Sequence, residues 1–410
     1  MKRVAVTGMG AITPLGNDVD SFFEALAAGR SGVKRLEGPG NERLDHRVAA
    51  PVAFDPLPLF DAAKLRMLDR VSQFALAAAA QAVKDSGATF DESGRARCGV
   101  CVGTGMAGAQ SADDGYRTLY AENSDRLKPF TVLMAMNNAP ASWIGLEYGL
   151  SGPNLTYSTA CSSSAVAIGE AARRIATGEA DVMIAGGAEA CLNLGTLKAW
   201  EAMRTLAVED ARDPSASCKP FAKDRTGLVL GEGAAMLVLE DRDRALARGA
   251  PIHAEIAGYG LVTDAAHITR PSVEGQAAAM RAALADARLD PKDIGYINAH
   301  GTGTQANDGV ETAAIKAVFG ETAYNVPVSS TKSMHGHLLG AAGAVELVAA
   351  ILAMRRGRIP PTRNLLIPDP ECDLDFVSSG ARDSPGLAAV LSSSFAFGGT
   401  NAVLIARRHI

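Results

Sequence analysis

Four residues of this chain carry groups suited to nucleophilic or charge-stabilising chemistry, and all follow strand-like runs. They are Cys161 in "NLTYSTACSSSAVAIGEAARRIATG", His300 in "IGYINAHGTGT", and Lys332 and His337 in "VPVSSTKSMHGHLLGAAG". A thiol at the start of a helix faces unpaired N–H groups and the positive end of the helix dipole, which favour thiolate against its free pKa of about 8.5. Imidazoles and an ammonium beside such a thiol could move a proton or stabilise negative charge on a reacting oxygen. Each residue alone has a plainer reading. A free cysteine is a common small core residue, and a histidine at a strand end is commonly a hydrogen-bonded structural group. Their shared placement, after a strand and before a turn or helix, is where an open α/β sheet gathers its active site.

Two further patterns carry less. Cys98 and Cys101 form a C-x-x-C, but "RCGVCVGTG" reads as a strand, in which residues three apart point to opposite faces, so a shared metal or disulfide is not expected. Gly8-x-Gly10 follows a strand-like start, yet Thr13 and Pro14 stand where a dinucleotide loop would place its third glycine, and no acidic residue follows about 20 positions on. These glycines are expected to serve a tight turn.

The elements that must position the four groups alternate along the chain. "RVAVTGMG", "CGVCVGTG", "NLTYSTA", "DVMIAGGAEA" and "AAMLVLE" read as strands before residue 250; "HAEIAGYGLV", "IGYINAHGTGT", "VPVSSTKS" and "LAAVLSSSFAFGGTNAVLIARR" read as strands after it. Ala-rich helical runs separate them, which predicts an α/β fold with parallel or mixed sheets covered by helices. The recurrence suggests two similar halves, without a clean sequence repeat. The stretches 205–227 and 355–375 read as long surface loops. Hydrophobic residues make up 47% of the 410, ample for a large core, and the formal charge of -5 argues against a nucleic-acid surface. The opening "MKRVAVTGMG" reads as a first strand rather than a signal peptide, and no run of about 20 apolar residues follows, so a cytoplasmic protein that spans no membrane is expected. Six scattered cysteines fit free thiols in a reducing compartment.

Taken together, "STACSSS", "NAHGTGT", "STKSMHGHLLGAAG" and "SFAFGGTN", with "PFAKDRTGLVLGEGA", "TDAAHITRP" and "ECDLDFV", resemble the elongating β-ketoacyl-acyl-carrier-protein synthases, condensing enzymes of the thiolase superfamily. The resemblance runs over essentially the whole chain. It implies a thiolase-like fold of two similar βαβ-type halves in five layers, α-β-α-β-α, with residues 1–250 carrying the nucleophile and 251–410 the two histidines and a gate loop. It implies decarboxylative condensation: Cys161 accepts an acyl chain, malonyl-acyl carrier protein loses CO2, and the enolate attacks the acyl-cysteine. His300 and His337 would stabilise the enolate as neutral imidazoles, and the N–H groups of Cys161 and Phe397 would hold the oxyanion. Lys332 would pair with Glu311. Phe397 would be the gate, Gly398 part of its loop, Thr302 and Thr304 the lining of the pantetheine channel, and Met106 the residue that limits or admits the acyl chain. No cofactor and no metal are implied. The implied partners are acyl carrier protein, contacted by Lys64, Arg66, Arg70, Arg126, Lys128 and Arg204, and a second subunit, either an identical copy or a chain-length-factor homologue.

Departures from the family pattern bear on selection rather than chemistry. Ala396 replaces a gate glycine, His335 adds a third histidine, and Ala222, Thr226 and Leu228 alter a loop that is usually more acidic and aromatic. Variant gate residues leave open a ketosynthase of a polyketide or polyene pathway working with a chain-length factor. A biosynthetic thiolase would normally bring a second cysteine where this chain has "SFAFGGTN", and a non-catalytic partner subunit would usually lack Cys161.

Overall fold

The computed structural model describes residues 1–38, 40–92 and 94–409. Ten strands form one sheet: β1 (Val4–Ile12), β2 (Cys98–Gly103), β3 (Asn154–Tyr157), β4 (Val182–Glu189), β5 (Gly233–Asp241), β6 (Ala254–Thr263), β7 (Tyr296–Asn298), β8 (Val328–Ser329), β9 (Ala389–Phe395) and β10 (Thr400–Arg407). Their spatial order is β8-β7-β9-β10-β6-β1-β5-β4-β2-β3. Outward from the centre, the first five strands run first, fifth, fourth, second, third, and the last five repeat that order. The senses repeat as well. In each half the two central pairings are antiparallel and the two outer ones parallel. The two sheets are continuous, because β1 pairs antiparallel with β6 over Val4–Val6. The recurrence suggested by the sequence is therefore one of topology, which needs no residue-level repeat.

Five helices cover this sheet: α1 (Arg70–Ser86), α2 (Ser163–Ala176), α3 (Val273–Ala287), α4 (Asp308–Phe319) and α5 (Ala342–Arg356). Helices α2 and α5 pack on each other between the two halves. All but the last two residues of α5 are buried, which explains why its sequence is apolar around most of its circumference. Helix α1 covers the outer face of the first half, and α3 with α4 that of the second, giving the α-β-α-β-α layering.

Gly8 and Gly10 lie within β1 and not in a turn. A Cβ on either would fall 2.0 Å from a carbonyl oxygen of α1, Ala82 O or Ala78 O, so they allow close strand-to-helix approach. Cys98 faces the core under α1 and Cys101 the central layer, the opposite-face arrangement expected of a strand. The stretches 205–227 and 355–375 are not purely superficial. Phe221 is fully buried and stacks on Phe376 at 3.9 Å, while Arg225, 3% exposed, pairs with Asp369 and donates to Thr304 O at 3.0 Å. Arg225 is an inward-facing staple between the two loops, a placement that composition cannot reveal.

Candidate active site

Strand β3 ends four residues before Cys161, and a 3-10 turn, Ala160–Ser162, leads from it into α2. Ala160 holds a left-handed φ of 51°, a strained conformation for alanine. The turn is locked by Ser163, whose hydroxyl accepts from Thr159 N at 2.9 Å and donates to Ala160 O at 2.6 Å. These bonds aim the thiol into the crevice where the two halves meet. His300 arrives two residues past β7, and Lys332 three past β8, in the single helical turn Lys332–His335. His337 follows, its N–H bound to Val229 O at 2.6 Å. All four groups are buried. The Sγ of Cys161 and a ring nitrogen of each histidine lie within 4.8 Å of one another, and the two imidazoles meet edge to face at 5.4 Å.

The electrostatics of the cluster follow from burial around one fixed cation. Lys332 Nζ forms an ion pair with Glu346, donates to His300 O at 2.7 Å, and lies 3.4 Å from His300 Nδ1. An ammonium can only donate, so Nδ1 is the acceptor and the ring proton belongs on Nε2. Burial, with Lys332 adding to it, holds His300 and His337 well below the usual imidazole range, so both are neutral donors near pH 7. Neither ring nitrogen of His337 has a hydrogen-bond partner among the described residues, although both are buried. Unsatisfied buried nitrogens are costly, and they suit a site that receives an oxygen from elsewhere. The thiol departs from the helix-dipole expectation. Burial pushes Cys161 up to about 11, against the opposing pull of Lys332 and the Phe397 N–H, so the resting group is a thiol. By type, the same donors could ligate a soft divalent cation, but the adjacent ammonium opposes one.

Glu311 does not pair with Lys332. It sits in the first turn of α4 and accepts from His300 N and Gly301 N, both at 2.7 Å, fixing the turn that carries His300. The partner of Lys332 is Glu346, the one acidic residue of α5, and not the Glu311 that the resemblance implied. An isolated glutamate inside a wholly apolar helix was the available signal. His335 is fully buried, with Nδ1 donating to Gly336 O at 2.8 Å and Nε2 accepting from Thr331 at 2.9 Å, and burial holds it down to about 3. Both nitrogens are occupied, so it is a packed structural group.

A narrow cavity of about 50 Å3 reaches Cys161, His300 and His337 past Thr302, Thr304, Ala396 and Phe397. The two threonine hydroxyls bond to each other at 2.9 Å. Phe397 stacks on Trp200 with ring centroids 6.0 Å apart, and Gly398, at φ 86°, is exposed and bonds through its N–H to Ile268 O. Gly398 does not line the cavity; Gly399 does. Ala396 lies outside the left-handed region, so its Cβ imposes no strain in this conformation. Met106 is also outside the cavity. Its N–H points inward to Glu189 at 3.0 Å, while its side chain is 40% exposed. Among the basic residues, Lys64 pairs with Glu147, and Arg70 grips Glu232 at 2.7 and 3.0 Å while lying over Phe74. Arg66, Arg126, Lys128 and Arg204 are exposed.

A thiol and two neutral imidazoles converge at strand ends from both sides of a repeated topology, and sequence comparison identifies the relatives. Residues 1–245 match the N-terminal domain of Beta-ketoacyl synthase, and residues 253–366 match its C-terminal domain. Nodulation protein E of Rhizobium meliloti is 45% identical over 403 residues, 98% of each chain. The 3-oxoacyl-[acyl-carrier-protein] synthase 2 of Coxiella burnetii is 43% identical over 410 residues, 99% of each chain. The ishigamide ketosynthase/chain length factor superposes with a TM-score of 0.92 at 35% identity, covering 100% of each chain. The chain belongs to the beta-ketoacyl synthase family.

Proposed function

We propose that this chain elongates acyl chains by decarboxylative condensation with malonyl-acyl carrier protein, and that the cluster of Cys161, His300 and His337 carries the chemistry. The supporting observation is their convergence within 4.8 Å, with the nitrogens of His337 buried and unpartnered. In the first half-reaction, the sulfur of Cys161 attacks the acyl thioester of one carrier protein, whose thiol leaves with the proton. Because burial keeps the thiol protonated at rest, that proton passes to the leaving carrier-protein sulfur as the attack proceeds. The oxyanion is held by the N–H groups of Cys161 and Phe397. In the second half-reaction, malonyl thioester loses CO2, and its enolate oxygen takes hydrogen bonds from His300 Nε2–H and from His337. The enolate carbon then attacks the acyl-cysteine, and collapse expels Cys161 to leave a β-ketoacyl product two carbons longer. Lys332 and Glu346 fix His300, and Glu311 fixes its backbone.

A cavity of about 50 Å3 falls well short of the roughly 300–1,000 Å3 of a ligand pocket, so in this reading Phe397, which lines it, moves to admit an acyl chain. Arg66, Arg126, Lys128 and Arg204 are the exposed cations offered to an acidic carrier protein. No helix among the described residues is long and apolar enough to cross a membrane, which fits a cytoplasmic enzyme. A second reading, a ketosynthase paired with a chain-length factor, is favoured by the close superposition on the ishigamide ketosynthase/chain length factor. Incubation with acyl and malonyl carrier proteins, read by mass spectrometry, tests the proposal. A β-ketoacyl product made by this chain alone supports elongation, product that requires a partner chain supports the second reading, and no product with either rejects both.

A further inference from the structure

The proposed chemistry leaves unused one fully buried carboxylate beside the site, that of Glu189 at the end of β4. It accepts from Gly105 N at 2.7 Å, Met106 N at 3.0 Å and Gly340 N at 2.9 Å, with Thr104 Oγ1 at 3.4 Å. No cation pairs with it among the described residues. Two separate segments are joined through it, the loop Thr104–Ala107 that leaves β2 and the turn Leu339–Ala341 that follows His337. They touch backbone to backbone. A Cβ on Gly340 would meet Gly105 N at 2.3 Å. Each segment also contains a non-glycine residue in the left-handed region, Ala107 at φ 31° and Leu339 at φ 45°. Such conformations persist only where the surroundings over-determine them, and the shared carboxylate is the group common to both.

We propose that Glu189 is a positioning residue that locks the Thr104–Ala107 loop to the turn behind His337, so that the two segments open only together. This rests on the role assigned to His337 above. It means that a disturbance of the exposed Met106 loop reaches the enolate-stabilising imidazole without contact between them. Glu189→Gln is the direct test, because an amide turns one acceptor into a donor that faces N–H groups. The variant is expected to lose about tenfold or more in kcat for malonyl decarboxylation, with KM within about twofold and the His337 ring signal displaced. Native-state amide exchange supplies a second measurement on the wild-type protein. Gly105, Met106 and Gly340 should open with one common free energy, and Thr104→Val, which spares the carboxylate, should lower the protection of all three together. Independent exchange of Gly340, or a folded Glu189→Gln protein with unchanged kcat and His337 signal, overturns the proposal. A wild-type protein that exchanges as one unit but decarboxylates nothing would overturn the functional reading instead.

Discussion

Three histidines lie fully buried and neutral around Lys332, a state that acid should expose as a cost. The unfolded chain binds protons at His300, His335 and His337 once the pH falls below about 6.5, whereas the folded protein does not, so these groups lower stability on acidification. Glu189, Glu311 and Glu346 act oppositely. Burial raises all three to about 7, so the folded protein holds their protons in a range where the unfolded chain, near 4.5, has lost them. Between about pH 5 and 6 the three glutamates offset the three histidines, and these six groups together should leave stability nearly level. Glu311→Gln removes one of the offsetting groups and should make stability fall by about 1.4 kcal/mol per unit of acidification, read from urea melts. A slope unchanged by that substitution would mean that Glu311 is ionised throughout. The proposed catalytic roles separate by variant as well. Cys161→Ala should abolish condensation while retaining malonyl decarboxylation, whereas His337→Ala should cut decarboxylation by about 10²–10³, followed as CO2 release. The convergence of Cys161, His300 and His337 was legible because strand ends are readable, while their chemical roles stand as proposed. Glu346 was not, because only the packing of α5 against the turn of Lys332 brings residues fourteen apart together.

The same division holds among elements. Alternating strands and helices, and the close of β3 before Cys161, follow from local pattern. The use of Gly8 and Gly10 does not, since a glycine in a strand signals a close approach without naming what approaches. Here it is α1, and Gly10→Ala would drive a methyl into Ala78 O, so a loss of about 1–3 kcal/mol in thermal unfolding is expected, with unchanged decarboxylation per folded molecule. In the loop proposed to gate the cavity, Gly398 and Gly399 hold the left-handed conformations that a side chain would strain, whereas Ala396 lies outside that region. Gly399, at φ 77°, has Asp264 Cβ 2.9 Å from where its own Cβ would stand. Ala396→Gly should therefore alter single-turnover acylation of Cys161 by no more than a few-fold, on the order of 1 kcal/mol. Gly399→Ala should slow it more. The reverse ranking would place the hinge before Phe397 rather than after it.

At the scale of the whole molecule, the first half ends in an unpaired edge and an apolar face. Among the described residues, strand β3 is hydrogen-bonded on one side only, to β2, leaving its other backbone groups open to pairing. The neighbouring segments between Ala109 and Tyr148 pack on one another and expose Tyr116, Tyr120, Val132, Leu133 and Leu146, each more than half accessible. Several large apolar side chains on one region of surface mark an interface rather than ordinary exposure. A second chain that set its own β3 antiparallel to this one would satisfy the edge and cover these residues in a two-fold arrangement. Sedimentation velocity should therefore give a dimer for the chain alone at micromolar concentration. Leu133→Asp, which places a charge on this exposed apolar face, should shift it toward monomer with little change in the secondary structure seen by circular dichroism. A wild-type monomer that becomes a heterodimer with a chain-length-factor homologue would mean that the face is shaped for a different partner. A monomer under both conditions would mean that the exposed edge is protected in some other way.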